Sequence, residues 1–153
     1  MNEPKKQQQG FTLVESMVSL VVLSVGMIGI AALYAQGLGA GRSALYRTQA
    51  VNLVADMADR IRANRIALDA YSGPAGNNGC DPAGGGADCT PAEMAAHDLF
   101  LWNGQIEQVL PNGQWQVRVN AGTLPPSYTI QVSWDEVGEG MVVHQSVIQV
   151  PQT

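Results

Sequence analysis

Between Lys6 and Arg42 the chain carries one charged side chain, Glu15, and what that carboxylate can do is the first chemical question the sequence raises. It lies in the stretch Gly10-Phe11-Thr12-Leu13-Val14-Glu15-Ser16-Met17-Val18-Ser19, five residues past the glycine that closes a short polar leader. A lone carboxylate in a membrane-length helix costs roughly 2.5–3.5 kcal/mol at the bilayer centre and less near its surface. Its chemistry is therefore ion pairing, and it requires a cation. The other reactive types are sparse. Cys80 and Cys89 flank Asp-Pro-Ala-Gly-Gly-Gly-Ala-Asp without the further Cys or His ligands a structural zinc site needs. A disulfide is the simpler reading if the domain is exported to an oxidising compartment, and it would contribute about 2.5–3 kcal/mol by loop-closure entropy. Two unpaired thiols are the alternative.

The remaining candidates are weaker. His97 and His144 fall on different elements with no serine or cysteine nucleophile motif nearby, so surface histidines are expected. Asp135, Glu136 and Glu139 crowd the Trp134–Met141 turn and offer calcium-type oxygens, but their spacing matches no established loop. A solvated turn is expected there and no metal is assigned. Arg60, Arg62 and Arg65 sit among Asp56, Asp59 and Asp69 without interleaved aromatics, which reads as a salt-bridged helix surface rather than a phosphate track. The net charge of −5 also argues against a general nucleic-acid binder. There is no P-loop, no dinucleotide fingerprint and no carboxylate pair suited to acid–base work. The expectation is a protein that is not an enzyme and calls for no cofactor.

The elements that must position these groups follow from periodicity. Residues 1–10 are polar. Phe11 to about Tyr71 reads as one long helix, on the order of 90 Å at 1.5 Å per residue. Its first half is apolar all round, and Met17 to Leu38 is long enough to cross a bilayer. Its second half, from Arg42, is amphipathic: Tyr46, Ala50, Leu53, Val54, Met57, Ile61 and Leu68 share a stripe. Asn52, Asp56, Asp59, Arg60 and Arg62 lie opposite, with Asp56 and Arg60 at pairing distance along the helix. Gly26, Gly29, Gly37, Gly39 and Gly41 allow close helix packing or mark a hinge. Ser72 to Thr90 is a glycine-rich loop holding the cysteines, including Gly84-Gly85-Gly86. Thr90-Pro91-Ala92-Glu93 starts a second helix with a capping box. Phe100, Ile106 and Val109, with Trp102 as a fourth candidate, form its inner face, and it stops at Pro111-Asn112-Gly113. Three strands follow, with Trp115, Val117 and Val119, then Tyr128, Ile130, Val132 and Trp134 facing one way, and Met141 to Val150 last. The fold class is α+β, a long helix packed on a small antiparallel sheet.

The segment from Gly10 to the end of the apolar run resembles the processing site of type IV prepilins: a leader ending in glycine, then Phe, then Glu at the fifth position, then about twenty apolar residues. The resemblance implies cleavage by a prepilin peptidase between Gly10 and Phe11 and N-methylation of Phe11. It also implies that Glu15 pairs with the N-terminal amine of a neighbouring subunit during assembly. An ordinary secretory signal cut near Ala35, or a plain signal anchor, leaves Glu15 unexplained. Lys5 and Lys6 before the span tie with Arg42 and Arg47 after it, so charge does not orient the chain. The resemblance does: leader in the cytoplasm, single-pass helix in the inner membrane, C-terminal domain in the periplasm, and the cell-surface pilus after assembly.

Two stretches narrow this further, together with the end of the chain. Leu23-Ser24-Val25-Gly26-Met27-Ile28-Gly29-Ile30-Ala31-Ala32-Leu33 and Asp56-Met57-Ala58-Asp59-Arg60-Ile61-Arg62-Ala63-Asn64-Arg65 look like the type IV pilus modification proteins PilV. Tyr128-Thr129-Ile130-Gln131-Val132-Ser133-Trp134 looks like their C-terminal strand. The likeness is clear over residues 10–66 and thin over 70–125. It implies three parts: a leader at 1–10, a filament-core half-helix at 11–41 and an exported head at 42–153. It also implies a minor pilin near the pilus tip, priming assembly and supporting adhesion and twitching motility. The implied partners are the major pilin and other minor pilins, the prepilin peptidase, the inner-membrane assembly platform and a tip adhesin. A type II secretion minor pseudopilin and a DNA-uptake minor pilin share the processing motif and stay open as alternatives.

Overall fold

A computed structural model describes residues 12–80 and 88–151; Gly10, Phe11 and the Gly84-Gly85-Gly86 run lie outside the described residues. The element order is α1 (Leu13–Ala63), a 3₁₀ segment (Arg65–Ser72), α2 (Pro91–Val109), β1 (Gln114–Asn120), β2 (Ser127–Glu136) and β3 (Gly140–Gln149). This is the expected α+β architecture, a long N-terminal apolar helix followed by a small three-stranded antiparallel sheet. The chain divides into two compact units, one ending at Arg42 and one beginning at Ser43.

In the first unit every described residue is exposed. The large apolar side chains from Leu13 to Leu38 range from 56% to 76% exposed. The helix is long and apolar enough to cross a membrane, and it runs through Gly26, Gly29, Gly37, Gly39 and Gly41 without a break. Nothing among the unit's described residues covers that surface. About 0.8 kcal/mol of transfer energy is at stake for each CH₂ group that a surrounding apolar phase would cover.

The second unit is a head with a single core. From α1 come Ala50, Leu53, Val54, Met57, Ala58 and Ile61, all buried, with Tyr46 packed at the margin. That is the expected stripe with one correction. Leu68 is 44% exposed, and Ala67 and Tyr71 are the buried residues of its segment. The helix does not reach Tyr71. It stops at Ala63, and the chain continues as a 3₁₀ segment in which Leu68 adopts φ 49° and ψ −115°. The physical reason is tertiary: Asn64 leaves helical geometry and its side-chain Nδ2 donates to Pro91 O at 2.8 Å.

α2 begins as its sequence dictates. Thr90 Oγ1 accepts from Glu93 N, the Glu93 carboxylate accepts from Thr90 N, and Pro91 takes the first turn. Its inner face is Ala95, Leu99, Trp102 and Ile106, continued by Leu110. Ile106 and Trp102 were expected there, but Phe100 (43% exposed) and Val109 (37%) turn outward. The turn after α2 needs glycine. A Cβ on Gly113 would stand 2.6 Å from Ile106 Cγ2 and 3.1 Å from Ile106 O.

The sheet order is β1-β2-β3, antiparallel throughout. Val117 opposes Ile130, Val132 opposes His144 and Trp134 opposes Val142. Trp115, Val117 and Val119 with Tyr128, Ile130, Val132 and Trp134 share the face that closes the core. Period-2 alternation therefore placed these residues on the correct side.

Candidate functional site

Glu15 lies in the first turn of α1, where a carboxylate is favoured by the helix dipole. Thr12, just before the helix, accepts the Glu15 backbone N–H on Oγ1 at 3.3 Å, and Ser19 Oγ donates to Glu15 O at 2.8 Å. The carboxylate itself is in no ion pair with, and accepts no hydrogen bond from, the described residues. Sequence reading picked out Glu15 but missed Thr12. The signal was available, because Thr12 and Glu15 have the three-residue spacing of a helix start.

The two cysteines come together as expected. Cys80 and Cys89 form a disulfide with Cα atoms 5.9 Å apart. Cys80 is 2% exposed. The loop leading to it is sewn along α2, with Gly76 N donating to Ala96 O and Asn78 Nδ2 to Glu93 O, both at 2.9 Å. The disulfide thus closes the chain directly onto the capped start of α2. At that cap the Thr90 backbone and hydroxyl bonds hold the exposed Glu93 carboxyl below its ordinary pKa.

A polar junction that sequence alone did not reveal joins α1, the 3₁₀ segment and α2. Arg60 Nε bonds Asp56 Oδ2 at 2.9 Å, and its Nη1 bonds Asp98 Oδ1 at 3.0 Å. Tyr71 Oη donates to Asp98 Oδ2 at 2.7 Å and lies 3.2 Å from Arg60 O. Burial opposes the Arg60 charge, but its hydrogen bonds and attraction to Asp56 and Asp98 outweigh it and raise the pKa. Burial, then the Asp98 carboxylate, pushes the Tyr71 phenol well above the ordinary tyrosine range. The Asp56–Arg60 pair was legible from spacing; Asp98 and Tyr71 arrive through tertiary structure. Arg62 pairs with Asp59 at 2.7 Å. Two of the three arginines considered for phosphate binding are therefore already neutralised. A shallow groove of about 380 Å³ beside this junction is lined by Arg60, Asn64, Cys89, Met94 and Asp98.

The other candidates disperse. Asp135 Oδ2 accepts from Asn112 Nδ2 at 2.8 Å. Glu139 pairs with Arg47 at 3.3 Å, and the buried Glu136 lies 3.9 Å from the same guanidinium. No group of three potential metal ligands forms among the described residues. His144 is half-buried on β3. His97 corrects the surface expectation: it is 5% exposed, and neither ring nitrogen has a partner among the described residues. The ring stacks on Phe100 with centroids 6.3 Å apart. The difference is tertiary: His97 lies one turn past Glu93 and beside Ala96, the positions at which the Gly76–Asn78 loop is bonded to α2.

Against known proteins, residues 5–31 match the model of the prokaryotic N-terminal methylation motif. Residues 32–100 match that of the type IV pilin Tt1218. Residues 5–100 are thus similar to the methylation motif and to a segment of a type IV pilin. No curated protein and no solved structure matches the chain. The first match spans Glu15; the second spans the α1 stripe, the polar junction and the start of α2. A type IV pilin implies partners in pilus assembly in general. The motif and the exposed apolar helix fit a pilin anchored in the inner membrane and later held in the pilus.

Proposed function

We propose that this chain is a minor pilin of a type IV pilus, of the PilV kind. Prepilin peptidase cuts it between Gly10 and Phe11, and Phe11 is N-methylated. Residues 11–41 hold it in the inner membrane, with residues 42–153 in the periplasm. It then enters the pilus near the tip with the major pilin and other minor pilins, priming assembly and supporting adhesion and twitching motility. Its role is structural.

One observation carries this reading: a fully exposed apolar half-helix that holds a single carboxylate, Glu15, with no partner in the described chain. Moving such a surface from lipid into a bundle of similar helices exchanges one apolar environment for another and costs little. The carboxylate supplies direction. Buried alone it is unfavourable, and paired with the amine of a neighbouring Phe11 both charges are neutralised. The pairing of Arg60 and Arg62 within the head supports pilus assembly over a DNA-uptake role, since it leaves little free positive charge for phosphates.

The test is Glu15→Val. The variant inserts in the membrane and is cleaved as the wild type is, because the substitution removes a desolvation cost and leaves Gly10 intact. It enters sheared pili poorly and lowers surface piliation. Wild-type levels in sheared pili, with unchanged piliation, would remove Glu15 as the assembly carboxylate. Intact mass of the wild type reads the processing step independently: a start at methylated Phe11 is expected, and one near Gln36 defeats the proposal.

A further inference from the structure

Three Asn-Gly pairs occur in the head: Asn78-Gly79, Asn103-Gly104 and Asn112-Gly113. Each is open to a reaction that needs no enzyme. The backbone nitrogen of the glycine attacks the asparagine Cγ, ammonia leaves, and the resulting succinimide takes up water to give aspartate or isoaspartate. Glycine favours the step because it has no side chain to hinder the approach and its backbone turns freely. The last two pairs are both followed by glutamine, so sequence ranks them equally. The fold separates them from the first. Gly104 lies inside α2, where its N–H belongs to the helical ladder. The amide of Asn103 is held at both ends, Nδ2 donating to Glu107 at 2.8 Å and Oδ1 accepting from Trp115 at 2.7 Å. Gly113 N donates to Leu110 O at 3.2 Å, Asn112 Nδ2 donates to Asp135 at 2.8 Å, and Gly113 is packed closely against Ile106. Asn78 and Gly79, by contrast, are exposed and belong to no helix or strand. Gly79 N has no backbone acceptor among the described residues and makes one bond, at 3.3 Å, to the exposed side chain of Asn77. A Cβ on Gly79 would meet no atom within 4 Å. The Asn78 amide is tied once, through Nδ2 to Glu93 O at 2.9 Å.

We propose that Asn78 is a self-modification site of the head, converting to aspartate and isoaspartate while the fold keeps Asn103 and Asn112 intact. The bond that forms joins Gly79 N to Asn78 Cγ, and the bond that breaks releases Nδ2 as ammonia. One water then opens the ring, and no oxidant or cofactor enters. The departing Nδ2 is the donor to Glu93 O, so the product puts an acceptor where a donor stood. That fastening is lost, and the loop then hangs on Gly76 N–Ala96 O and on the Cys80–Cys89 disulfide. Each conversion adds one negative charge to a chain whose net charge is −5, so the time since synthesis is recorded as charge beside the start of α2. The reaction involves the head alone, whatever assembly the chain enters.

The experiment incubates the full-length chain, purified in detergent, in mildly alkaline buffer and follows each Asn-Gly pair by peptide mass spectrometry. Conversion adds about one dalton, an NH₂ exchanged for OH, and enzymatic methylation of isoaspartate marks the second product. In the folded chain Asn78 should convert at least about tenfold faster than Asn103 or Asn112, because the latter two react only after local opening of helix or turn. In urea the three rates should converge. Asn78→Asp should quicken hydrogen exchange at the Gly76 amide severalfold while the head's melting temperature stays unchanged. Equal rates at the three pairs in the folded chain, or an Asn78 that stays intact while the urea-unfolded chain converts, would overturn the site. An unaltered Gly76 amide in Asn78→Asp would overturn the release of the loop.

Discussion

The two halves of α1 have the same secondary structure and opposite relations to the rest of their own chain. From Leu13 to Leu38 large apolar residues point in every direction and none is buried. From Ala50 to Ile61 the apolar residues occupy one stripe, and that stripe is the centre of the head's core. The difference lies in the sequence period. An all-round apolar surface finds its partner in other molecules, whereas a one-sided surface finds it in cis. Helix formation is therefore shared between the halves, but only one of them contributes to the stability of the head.

Paired substitutions break or sharpen this contrast. Met57→Ala, at a fully buried position, should lower head stability by about 2–4 kcal/mol through lost transfer energy and the cavity left behind. Ile28→Ala, at 71% exposure, should leave the head's melting curve in detergent unchanged. Equal losses for both would mean that the two halves do not behave as separate units.

A smaller loss, about 2–3 kcal/mol, is expected for Asp98→Ala, which strips Arg60 of one carboxylate and Tyr71 of its acceptor. It falls below the full cost of breaking a buried pair because Asp56 still compensates Arg60. Urea denaturation of the variant and of the double mutant with Tyr71→Phe would isolate the coupling. Strict additivity of the two would show that the junction is no network.

The smallest effect is confined to alkaline solution. Burial and Asp98 raise the folded-state pKa of Tyr71, and burial and Asp69 raise that of Tyr128. The unfolded chain then releases phenolic protons near pH 10 that the head retains. The stability these groups contribute is complete below pH 10 and falls as pH rises beyond it. Tyr71→Phe should flatten this fall in part, with Tyr128 maintaining the rest. A profile equally steep in the variant would assign the fall to other groups.

Much of this was legible in the residue order, and the failures share a cause. The capping box at Thr90, the strand faces, the cysteine pair and the isolation of Glu15 rest on spacings within a few residues. The phase of α2 did not. Leu99, Phe100, Leu101 and Trp102 are four consecutive apolar residues, and spacing cannot say which two of them face inward. The end of α1 at Ala63 has neither glycine nor proline to announce it, and depends on Asn64 reaching Pro91 across 27 positions. His97 is buried by tertiary packing that local sequence does not encode. At Glu15 the motif points to a role, and no ion-pair partner for it stands among the described residues.

The indole of Trp102 donates to Leu53 O at 2.9 Å, Arg60 holds Asp98, and Asn64 reaches Pro91. These attachments are spaced from Leu53 to Asn64, twelve successive residues, or about 16 Å at 1.5 Å per step. Under a pulling force this spacing would matter. A tensile force applied along α1 is divided among the fastenings at once, as in a lap joint, and no single one can peel ahead of the others. Detachment of the head from its own helix is thereby converted from a sequence of small ruptures into one large one.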